Sequence, residues 1–313
     1  MSPVPVFSGR QVELAVSPGE AVEAVRDAFV AHHRGEWTMP PKVYVTNYPA
    51  GDFRAMPALG GGHALLKWVT SFPGNPARGL PTVSGVVLLS DAQTGELKAL
   101  LDAAAVTALR TGAAAVLAAE TLGRPDASSA AVIGAGVNGI AAARTFLARD
   151  RTVALWDRDV ARAEAAAALV GATVAPSLAA ALAADLVVTV TPGHEILLTE
   201  GLLAPGQHVS LMGADGPGKG EASVAELLRT RMFCDEWEQA SHSGDISRGV
   251  EEGCIGVADV TALGAVLAGE AEGRRSGQEI TVFDSTGLAI QDLAIARACL
   301  EAAGRLELAT IEL

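Results

Sequence analysis

The sequence predicts an α/β fold whose larger part is a doubly wound parallel sheet, preceded by an antiparallel α+β region. Three observations indicate this fold. A glycine-rich turn at residues 134–139 follows an apolar strand and opens a helix. From residue 124 onward, short apolar strands alternate with helical stretches, the pattern typical of parallel sheets with crossover helices. Before residue 103 the apolar segments are joined by turns, which favours antiparallel pairing.

Composition excludes several classes of protein. The chain has 313 residues, 50% hydrophobic and 19% charged, which is typical of roughly two globular domains. A net charge of −13 without a basic cluster argues against nucleic-acid or anionic-membrane partners. The N-terminus lacks a signal-peptide pattern, and no run approaches the ~18 apolar residues of a membrane span, so we expect a cytoplasmic protein. Three scattered cysteines suit reduced thiols, and the six histidines show no metal-binding spacing.

The first hundred residues are predicted to hold one helix and a meander-like sheet. Ser17 and Pro18 mark the helix start, and Gly35 marks its end. Pro40-Pro41 forces an extended entry into a strand at residues 42–45. Further strands are expected at residues 64–69, 83–89 and 97–101, the last two joined by a hairpin turn at residues 91–95.

Two cations in this region stand in apolar surroundings. Lys67 lies within the strand at residues 64–69, and Arg110 is the only charged residue in the alanine-rich helix of residues 103–119. Lys67 either extends to the surface or stays inside beside an anion, because an unpaired buried ammonium is costly. Arg110 either pairs with a nearby acid or offers its planar guanidinium to a ligand carboxylate.

The glycine turn, residues 134–139, has the sequence Gly-Ala-Gly-Val-Asn-Gly. Its first glycine permits the tight turn, the second lets the backbone approach a pyrophosphate, and the third allows close packing of helix on strand. A helix is expected at residues 140–148 and a second strand at 152–156. Asp157 then follows at the position, about 20 residues on, where a carboxylate binds a ribose. Together these features predict an NAD site; Asp157 favours NAD over NADP, and the neighbouring Arg158 weakens that preference.

The remaining strands are expected around residues 132, 153, 174, 186–190, 208–212, 232–233 and 280–283, with a final helix at 288–303. Open α/β sheets bind ligands beyond the carboxyl ends of their strands. Two loops besides the glycine turn meet that condition, Thr191-Pro192-Gly193 and the segment of residues 213–221, which we term the Asp215 loop. Two interpretations of Asp215 remain open. In the first it has a structural role and initiates a turn or caps the following helix. In the second it faces the nicotinamide as a proton carrier or as the partner of a substrate ammonium.

Several motifs, in order along nearly the whole chain, resemble the ornithine cyclodeaminase and mu-crystallin family. They are Met56-Pro57-Ala58, Lys67, Pro73-Gly74-Asn75, Leu80-Pro81-Thr82, Thr107-Ala108-Leu109-Arg110-Thr111-Gly112-Ala113, the glycine turn, Gly213-Ala214-Asp215 and Ser285-Thr286-Gly287-Leu288-Ala289-Ile290-Gln291-Asp292. The family includes ornithine and lysine cyclodeaminases, an alanine dehydrogenase branch, ketimine and cyclic-imine reductases, and mu-crystallin.

This resemblance implies a Rossmann-type NAD(P)-binding domain, residues 116–289, inserted into an α+β substrate-binding and dimerisation domain, residues 1–115 plus 290–313. It also implies a homodimer, and a last helix that returns to the first domain. By the same resemblance, Lys67 and Arg110 bind the substrate carboxylate, and Asp215 is the catalytic acid/base, with Lys67 assisting catalysis. Cyclodeaminases usually carry arginine where this sequence has Lys42, so a third carboxylate contact there keeps the charge and loses the bidentate fork.

The expected contacts of the cofactor come from both regions of the chain. They are Thr82, Thr111, Gly134, Gly136, Val137, Asn138, Gly139, Asp157, Arg158, Thr191, Ser285 and Gly287. The expected cofactor is NAD, with NADP less favoured, and no metal is expected.

The motifs leave three functions open. The leading expectation is ornithine cyclodeamination, in which NAD oxidises the α-carbon, the side-chain amine closes the ring, ammonia leaves and the hydride returns to give proline. The second is net redox chemistry, as a ketimine or cyclic-imine reductase or an alanine dehydrogenase. The third is a non-catalytic binding protein, which Lys67, Arg110 and Asp215 together argue against, because a binder has no need of a proton carrier.

Overall fold

The structure is a computed structural model that describes residues 3–216 and 218–312. The chain separates into two compact units. Unit 1 comprises Met1–Arg110 and Leu288–Leu313, and unit 2 comprises Thr111–Gly287. The sequence analysis places the corresponding boundaries at residues 115/116 and 289/290.

The described part of the chain contains strands β1 to β15 and helices α1 to α11. The strands are β1 (Val4–Phe7), β2 (Val43–Asn47), β3 (Gly51–Gly60), β4 (His63–Ser71), β5 (Val83–Asp91), β6 (Leu97–Asp102), β7 (Ser129–Ile133), β8 (Thr152–Trp156), β9 (Thr173–Val174), β10 (Leu186–Thr189), β11 (His208–Leu211), β12 (Arg231–Cys234), β13 (Val260–Ala262), β14 (Thr281–Asp284) and β15 (Ala309–Ile311). The helices are α1 (Gly9–Ala15), α2 (Pro18–His33), α3 (Ala103–Leu122), α4 (Val137–Leu147), α5 (Val160–Val170), α6 (Leu178–Ala181), α7 (Val224–Leu227), α8 (Trp237–Ser243), α9 (Ser247–Glu251), α10 (Leu263–Leu267) and α11 (Ala289–Ala302). Short 3₁₀ turns occur at Asn75–Arg78, Val257–Asp259 and Ala303–Arg305.

Unit 1 is built on a seven-stranded sheet with the order β15-β1-β6-β5-β4-β3-β2. Strands β2 to β6 form an antiparallel meander, while β1 runs parallel to β6 and antiparallel to β15. Strand β3, which contains Met56-Pro57-Ala58, was not predicted because a proline weakens the pattern of a strand. The register of the sheet explains why Pro57 is tolerated. The pairing of β2 with β3 stops at Ala55, so no β2 residue lies opposite Pro57 to need the N–H that proline lacks.

Helix α11 lies on one face of this sheet, and helix α2 packs against α11. Helix α2 begins after Ser17, whose side chain accepts from the Glu20 N–H, and it buries Val22, Val25 and Phe29. Helix α11 packs against α2, β3 and β4. The arrangement places the buried side of β3 and β4 directly against the last long helix of the chain.

The opposite side of the same sheet is apolar and exposed. Val43 and Val45 on β2 are 57% and 52% accessible, and Leu66 and Trp68 on β4 are also exposed. Phe53 stacks on Trp68 with ring centroids 5.8 Å apart. We call these residues the outer face of unit 1. An apolar face of this kind on a single chain marks an interaction surface.

Unit 2 confirms the predicted doubly wound parallel sheet. Its eight strands have the order β13-β12-β14-β11-β10-β7-β8-β9, and every pairing is parallel. Strand order reverses between β7 and β10, which creates the crevice where such sheets bind ligands. Strand β14 inserts between β11 and β12, and β13 was missed by the sequence analysis because it is only three residues long.

Helix α3 is long and apolar enough to cross a membrane by length and composition, so the expectation that no segment approaches this limit was too strong. Yet 78% of its apolar window is buried inside the structure, as in the core helix of a globular protein. Gly112 explains part of that burial. A Cβ on Gly112 would stand 2.8 Å from the Ala141 backbone, so glycine lets α3 approach α4 closely.

Candidate active site

The glycine turn uses its three glycines for three different physical reasons. Gly134 has φ of +109°, a conformation that L side chains rarely adopt. A Cβ on Gly139 would stand 1.8 Å from the Gly134 carbonyl oxygen, so a side chain there is excluded by the turn itself. A Cβ on Gly136 would meet nothing within 4 Å. The protein's own packing does not require glycine at 136, and the open space there is the cradle that a pyrophosphate needs.

The surroundings of the turn fit a dinucleotide. Gly136 is the N-cap of α4 and supplies no capping side chain, which leaves the helix N-terminus to an anion. Asp157 immediately follows β8, and it has one carboxylate oxygen 2.9 Å from the Ala135 N–H and the other 2.9 Å from the Asp159 N–H. Its acidic group is therefore fixed beside the turn, as the ribose-binding carboxylate requires. The Arg158 side chain is exposed to solvent and lies 4.0 Å from Glu195. This contact does not direct the Arg158 guanidinium to the ribose position.

Two buried carboxylates that the sequence analysis left unassigned organise the other strand-end loops of unit 2. Glu221 accepts hydrogen bonds from the N–H and the hydroxyl of Thr191 at 2.8 and 2.6 Å. Asp235, which immediately follows β12, accepts from the Ser285 hydroxyl at 3.0 Å and the Gly287 N–H at 2.8 Å. Thr191, Ser285 and Gly287 are thus fixed at the carboxyl end of the sheet, and their contacts with a cofactor stay predictions.

Asp215 does not cap the helix that follows it. Ser223 caps α7 by accepting from the Glu226 N–H, whereas Asp215 forms an ion pair with Lys219 at 2.5 Å within its own loop. The Asp215 side chain is 35% exposed, so it remains open to solvent and to a ligand. Lys219 was not singled out by the sequence analysis, although an acid and a lysine four residues apart in a short loop are an obvious pair to test.

Lys67 and Arg110 lie together inside unit 1 and share one carboxylate. Lys67 on β4 is 1% exposed and does not extend to the surface. Its Nζ lies 2.6 Å from Asp292 Oδ2 on α11 and donates to the Thr107 hydroxyl at 3.3 Å. Arg110 Nε lies 3.5 Å from Asp292 Oδ1, and Arg110 Nη1 donates to Gln291 Oε1 at 3.3 Å. We call Lys67, Arg110, Gln291 and Asp292 the cation cluster.

The charges of the cation cluster do not cancel. Two cations face a single fully buried carboxylate, so one positive charge remains. Within the cluster, Arg110 Nε and Gln291 Nε2 are buried donors with no hydrogen-bond partner among the described residues, and the two Asp292 carboxylate oxygens are buried acceptors with none. Unsatisfied buried polar atoms are rare in folded proteins and cost about 1–3 kcal/mol each, so the polar atoms of the cluster are incompletely paired. A carboxylate supplies both the negative charge and the acceptor oxygens.

Burial lowers the pKa of the Lys67 ammonium to about 8, the Asp292 charge opposes the shift, and the Arg110 charge adds to it. The lysine therefore sits close to its titration point at neutral to slightly alkaline pH. An anion bound to the cluster would raise this pKa and hold the lysine charged.

A second polar group occupies the same region of unit 1. Asp52 and Arg54 on β3 form an ion pair with Arg54 Nε 2.6 Å from Asp52 Oδ1. The Arg54 guanidinium lies over the Tyr44 ring at 5.4 Å, and the Tyr48 hydroxyl donates to Asp52 at 3.3 Å. Sequence analysis missed Arg54 because β3 was not expected there.

The remaining predicted residues fall at element boundaries. Lys42 is half-buried and immediately precedes β2, and Thr82 is half-buried immediately before β5. Thr111 is buried on α3, and Val137 and Asn138 open α4 beyond the glycine turn. Their proposed roles stay predictions.

A family profile described as the ornithine cyclodeaminase/mu-crystallin family matches residues 6–305. The chain belongs to this family. The resemblance inferred from its motifs is thereby confirmed over nearly the whole length.

Three similar proteins show the range within the ornithine cyclodeaminase/mu-crystallin family. An alanine dehydrogenase of Archaeoglobus fulgidus is 41% identical over 304 residues, which covers 95% of this chain and 94% of that protein. A solved archaeal alanine dehydrogenase dimer with bound NAD is 40% identical, with a TM-score of 0.92 over 99% of each chain. The Δ¹-pyrroline-2-carboxylate reductase of Thermococcus litoralis, solved with NADH and L-proline, is 27% identical, with a TM-score of 0.90 over 96% of this chain and 98% of that one. Relatives of this chain are therefore NAD-dependent enzymes of amino-acid and imine chemistry.

Proposed function

We propose that this chain is an NAD-dependent dehydrogenase of a small, uncharged 2-amino acid, interconverting alanine and pyruvate. The ion pair between Asp52 and Arg54 is the observation that carries this choice over ornithine. An ornithine side chain ends in an ammonium, which needs a carboxylate partner when it leaves water. Asp52 lies in the same unit as Lys67 and Arg110, but its side chain is only 6% exposed and already holds a guanidinium at 2.6 Å.

The carboxylate of the cation cluster, Asp292, is also unavailable to a substrate ammonium. Asp292 is 2.6 Å from the Lys67 ammonium and is occupied by the cation cluster. Neither acid in this part of unit 1 is thus left for a substrate ammonium. Ornithine cyclodeamination, the leading expectation from the motifs, accordingly ranks below alanine oxidation. The 41% identity to an alanine dehydrogenase over 95% of the chain supports the same order.

Reduction of a cyclic imine is the second candidate. Its support is the similarity to a reductase solved with NADH and L-proline, at a TM-score of 0.90. A cyclic amino acid carries a carboxylate for the cation cluster and has no charged side chain, so it makes no demand on Asp52. The two candidates share their binding chemistry and differ in the fate of the imine: an open-chain imine is hydrolysed to a 2-oxo acid and ammonia, whereas a cyclic imine keeps its nitrogen in the ring and takes up hydride and a proton.

The chemistry divides among the residues as follows. Lys67 and Arg110 hold the substrate carboxylate through charge-assisted hydrogen bonds. Asp215 accepts the proton that the substrate ammonium must lose before its α-carbon can give up hydride. Bound NAD supplies the hydride acceptor at its nicotinamide ring. Water then adds to the resulting imine carbon, the C–N bond breaks, and ammonia and the 2-oxo acid leave.

A homodimer is part of the proposal. The outer face of unit 1 exposes Val43, Val45, Leu66 and Trp68 side by side on a sheet. A second copy related by a two-fold axis would cover the same apolar residues in each subunit. The dimer of the archaeal alanine dehydrogenase supports this choice. We propose a cytoplasmic location, which suits the cytosolic pool of NAD and free amino acids.

One assay tests the function. Purified protein is mixed with NAD+ and either L-alanine or L-ornithine, and NADH and ammonia are measured together. We expect alanine to give NADH and ammonia in equal amounts. Ammonia and proline from ornithine without accumulation of NADH would reject the dehydrogenase and restore cyclodeamination, and consumption of NADH by a five-membered cyclic imine with no activity on alanine would select the reductase.

A further inference from the structure

Glu221 lies under two loops at the carboxyl end of the parallel sheet. It is fully buried, and its two carboxylate oxygens each take two hydrogen bonds. Oε1 accepts from the Thr191 N–H at 2.8 Å and the Thr191 hydroxyl at 2.6 Å. Oε2 accepts from the Thr189 hydroxyl at 2.7 Å and the Gly213 N–H at 3.0 Å. One side chain therefore joins the turn after β10 to the first residue of the Asp215 loop after β11.

The backbone around this carboxylate is shaped to admit it. A Cβ on Gly213 would stand 2.5 Å from the Glu221 carboxyl carbon, so glycine at the loop entry is what lets the acid lie beneath it. Asp245 holds the far end of the loop, because its Oδ1 accepts from the N–H groups of both Glu221 and Ala222. Entry and exit of the Asp215 loop are thus both tied to buried carboxylates.

We propose that Glu221 is a positioning residue for the reaction. It sets the spacing between the Thr191 turn and the Asp215 loop, and so fixes where the Asp215 carboxylate stands above the sheet. This role rests on the proposed function, since it acts through Asp215 as the proton acceptor. Glu221 itself is too deeply buried to touch substrate or cofactor.

Replacement by glutamine is a sharp test because it keeps the shape and removes one acceptor. If the new amide nitrogen takes the place of Oε1, it meets the Thr191 N–H, and if it takes the place of Oε2, it meets the Gly213 N–H. Two donors then face each other in either orientation, and one backbone amide loses its partner. Thr189→Val removes a single hydroxyl donor and leaves both backbone hydrogen bonds in place, so it provides a graded comparison.

Glu226 offers a matched control in the same unit. Its carboxylate is also buried and also accepts from two backbone N–H groups, those of Gly201 at 2.7 Å and Leu203 at 2.6 Å, and it additionally pairs with Arg229 at 2.5 Å. These amides lie in the segment between β10 and β11 and belong to neither strand-end loop. Glu226→Gln should therefore destabilise unit 2 without displacing Asp215.

The experiment compares Glu221→Gln, Thr189→Val and Glu226→Gln by melting temperature, by NADH titration using its fluorescence, and by kcat and KM. We expect Glu221→Gln to lower kcat by about 10²-fold, the scale of an ~1 Å displacement in an active site. NADH should also bind several-fold more weakly, because the Thr191 turn moves. Glu226→Gln should lower the melting temperature and leave kcat and NADH affinity near wild type. Thr189→Val should lose less of kcat and NADH affinity than Glu221→Gln, because both backbone hydrogen bonds of Glu221 remain.

Wild-type kcat and NADH affinity in Glu221→Gln would overturn the proposal, as would equal losses of both in Glu221→Gln and Glu226→Gln. The NADH titration needs no substrate. It therefore still tests the link between Glu221 and the Thr191 turn if the chain proves inactive on alanine, which would be a failure of the proposed function alone.

Discussion

Replacing Lys67 by methionine should weaken the binding of substrate carboxylates by an amount that the cation cluster defines. The wild-type cluster has one surplus positive charge, and Lys67→Met leaves Arg110 balanced by Asp292. A charge-assisted hydrogen bond contributes about 1.5–3 kcal/mol, so the inhibition constant of a carboxylate should rise about 12- to 160-fold. NADH affinity should stay close to wild type, because the lysine belongs to unit 1 and the glycine turn to unit 2.

A double variant separates charge from folding. Lys67→Met alone leaves Asp292 without its 2.6 Å partner, and breaking a buried ion pair typically costs about 3–5 kcal/mol. Lys67→Met with Asp292→Asn removes both charges and leaves Arg110 unopposed. The surplus positive charge and much of the stability should both return, and carboxylate binding should recover in part relative to the single variant.

The pH dependence of inhibitor binding tests the role of Lys67 independently. Propanoate is a suitable competitive inhibitor, because it is ionised throughout the range and cannot react. With the pKa of Lys67 near 8, the ammonium loses its proton above that pH and the surplus charge falls to zero. The inhibition constant should therefore rise about six- to tenfold from pH 7 to pH 9 in the wild type and stay flat in Lys67→Met. Equal pH profiles, or a single variant that binds propanoate as well as wild type, would refute the assignment of Lys67 to the anion site.

Four further predictions concern other parts of the molecule. Asp215→Asn should lower kcat by ~10²- to 10⁴-fold with NADH affinity unchanged, and undiminished turnover would remove this residue from the mechanism. Asp157→Ala should reduce the preference for NADH over NADPH in fluorescence titrations; tighter NADPH binding by the wild type would contradict the ribose assignment. Trp68→Glu on the outer face should shift light scattering from dimer to monomer, whereas a monomeric wild type would exclude the proposed interface. Burial, aided by the Glu221 charge, raises the pKa of Asp245 from 3.8 to about 7. Between these pH values the folded state binds more protons than the unfolded state, so the free energy of unfolding should fall as pH rises. Asp245→Asn should flatten the slope of melting temperature against pH.

Local patterns were enough to predict the glycine turn, the parallel sheet and the position of Asp157. Each depends on residues close together in sequence: a strand, three glycines and an acid about 20 residues on. For Lys67 the sequence left two alternatives, extension to the surface or burial beside an anion, and the structure shows the second. The identity of that anion, Asp292, could not follow from the sequence, because α11 comes from the other end of the chain.

Other features depend on tertiary structure in the same way. Glu221 resembles an ordinary acid at the end of a glycine-rich loop, and its four donors come from two segments, residues 189–191 and residue 213, that meet only in the folded sheet. Strand β3 was missed because Pro57 argues against a strand, and only the register shows that β2 stops before reaching it. Arg54 was missed with the strand that carries it.

The return of α11 to unit 1 has a consequence for synthesis on the ribosome. Lys67 emerges early, and the carboxylate that allows its burial emerges more than two hundred residues later, with Asp292. At ~5–20 residues per second, the lysine waits roughly 10 to 45 s for its partner. Strand β1 waits longer still for β15. Unit 2 is continuous in sequence and can fold during this interval, so the order of synthesis favours a nascent chain in which unit 2 is complete before the cation cluster of unit 1 can form.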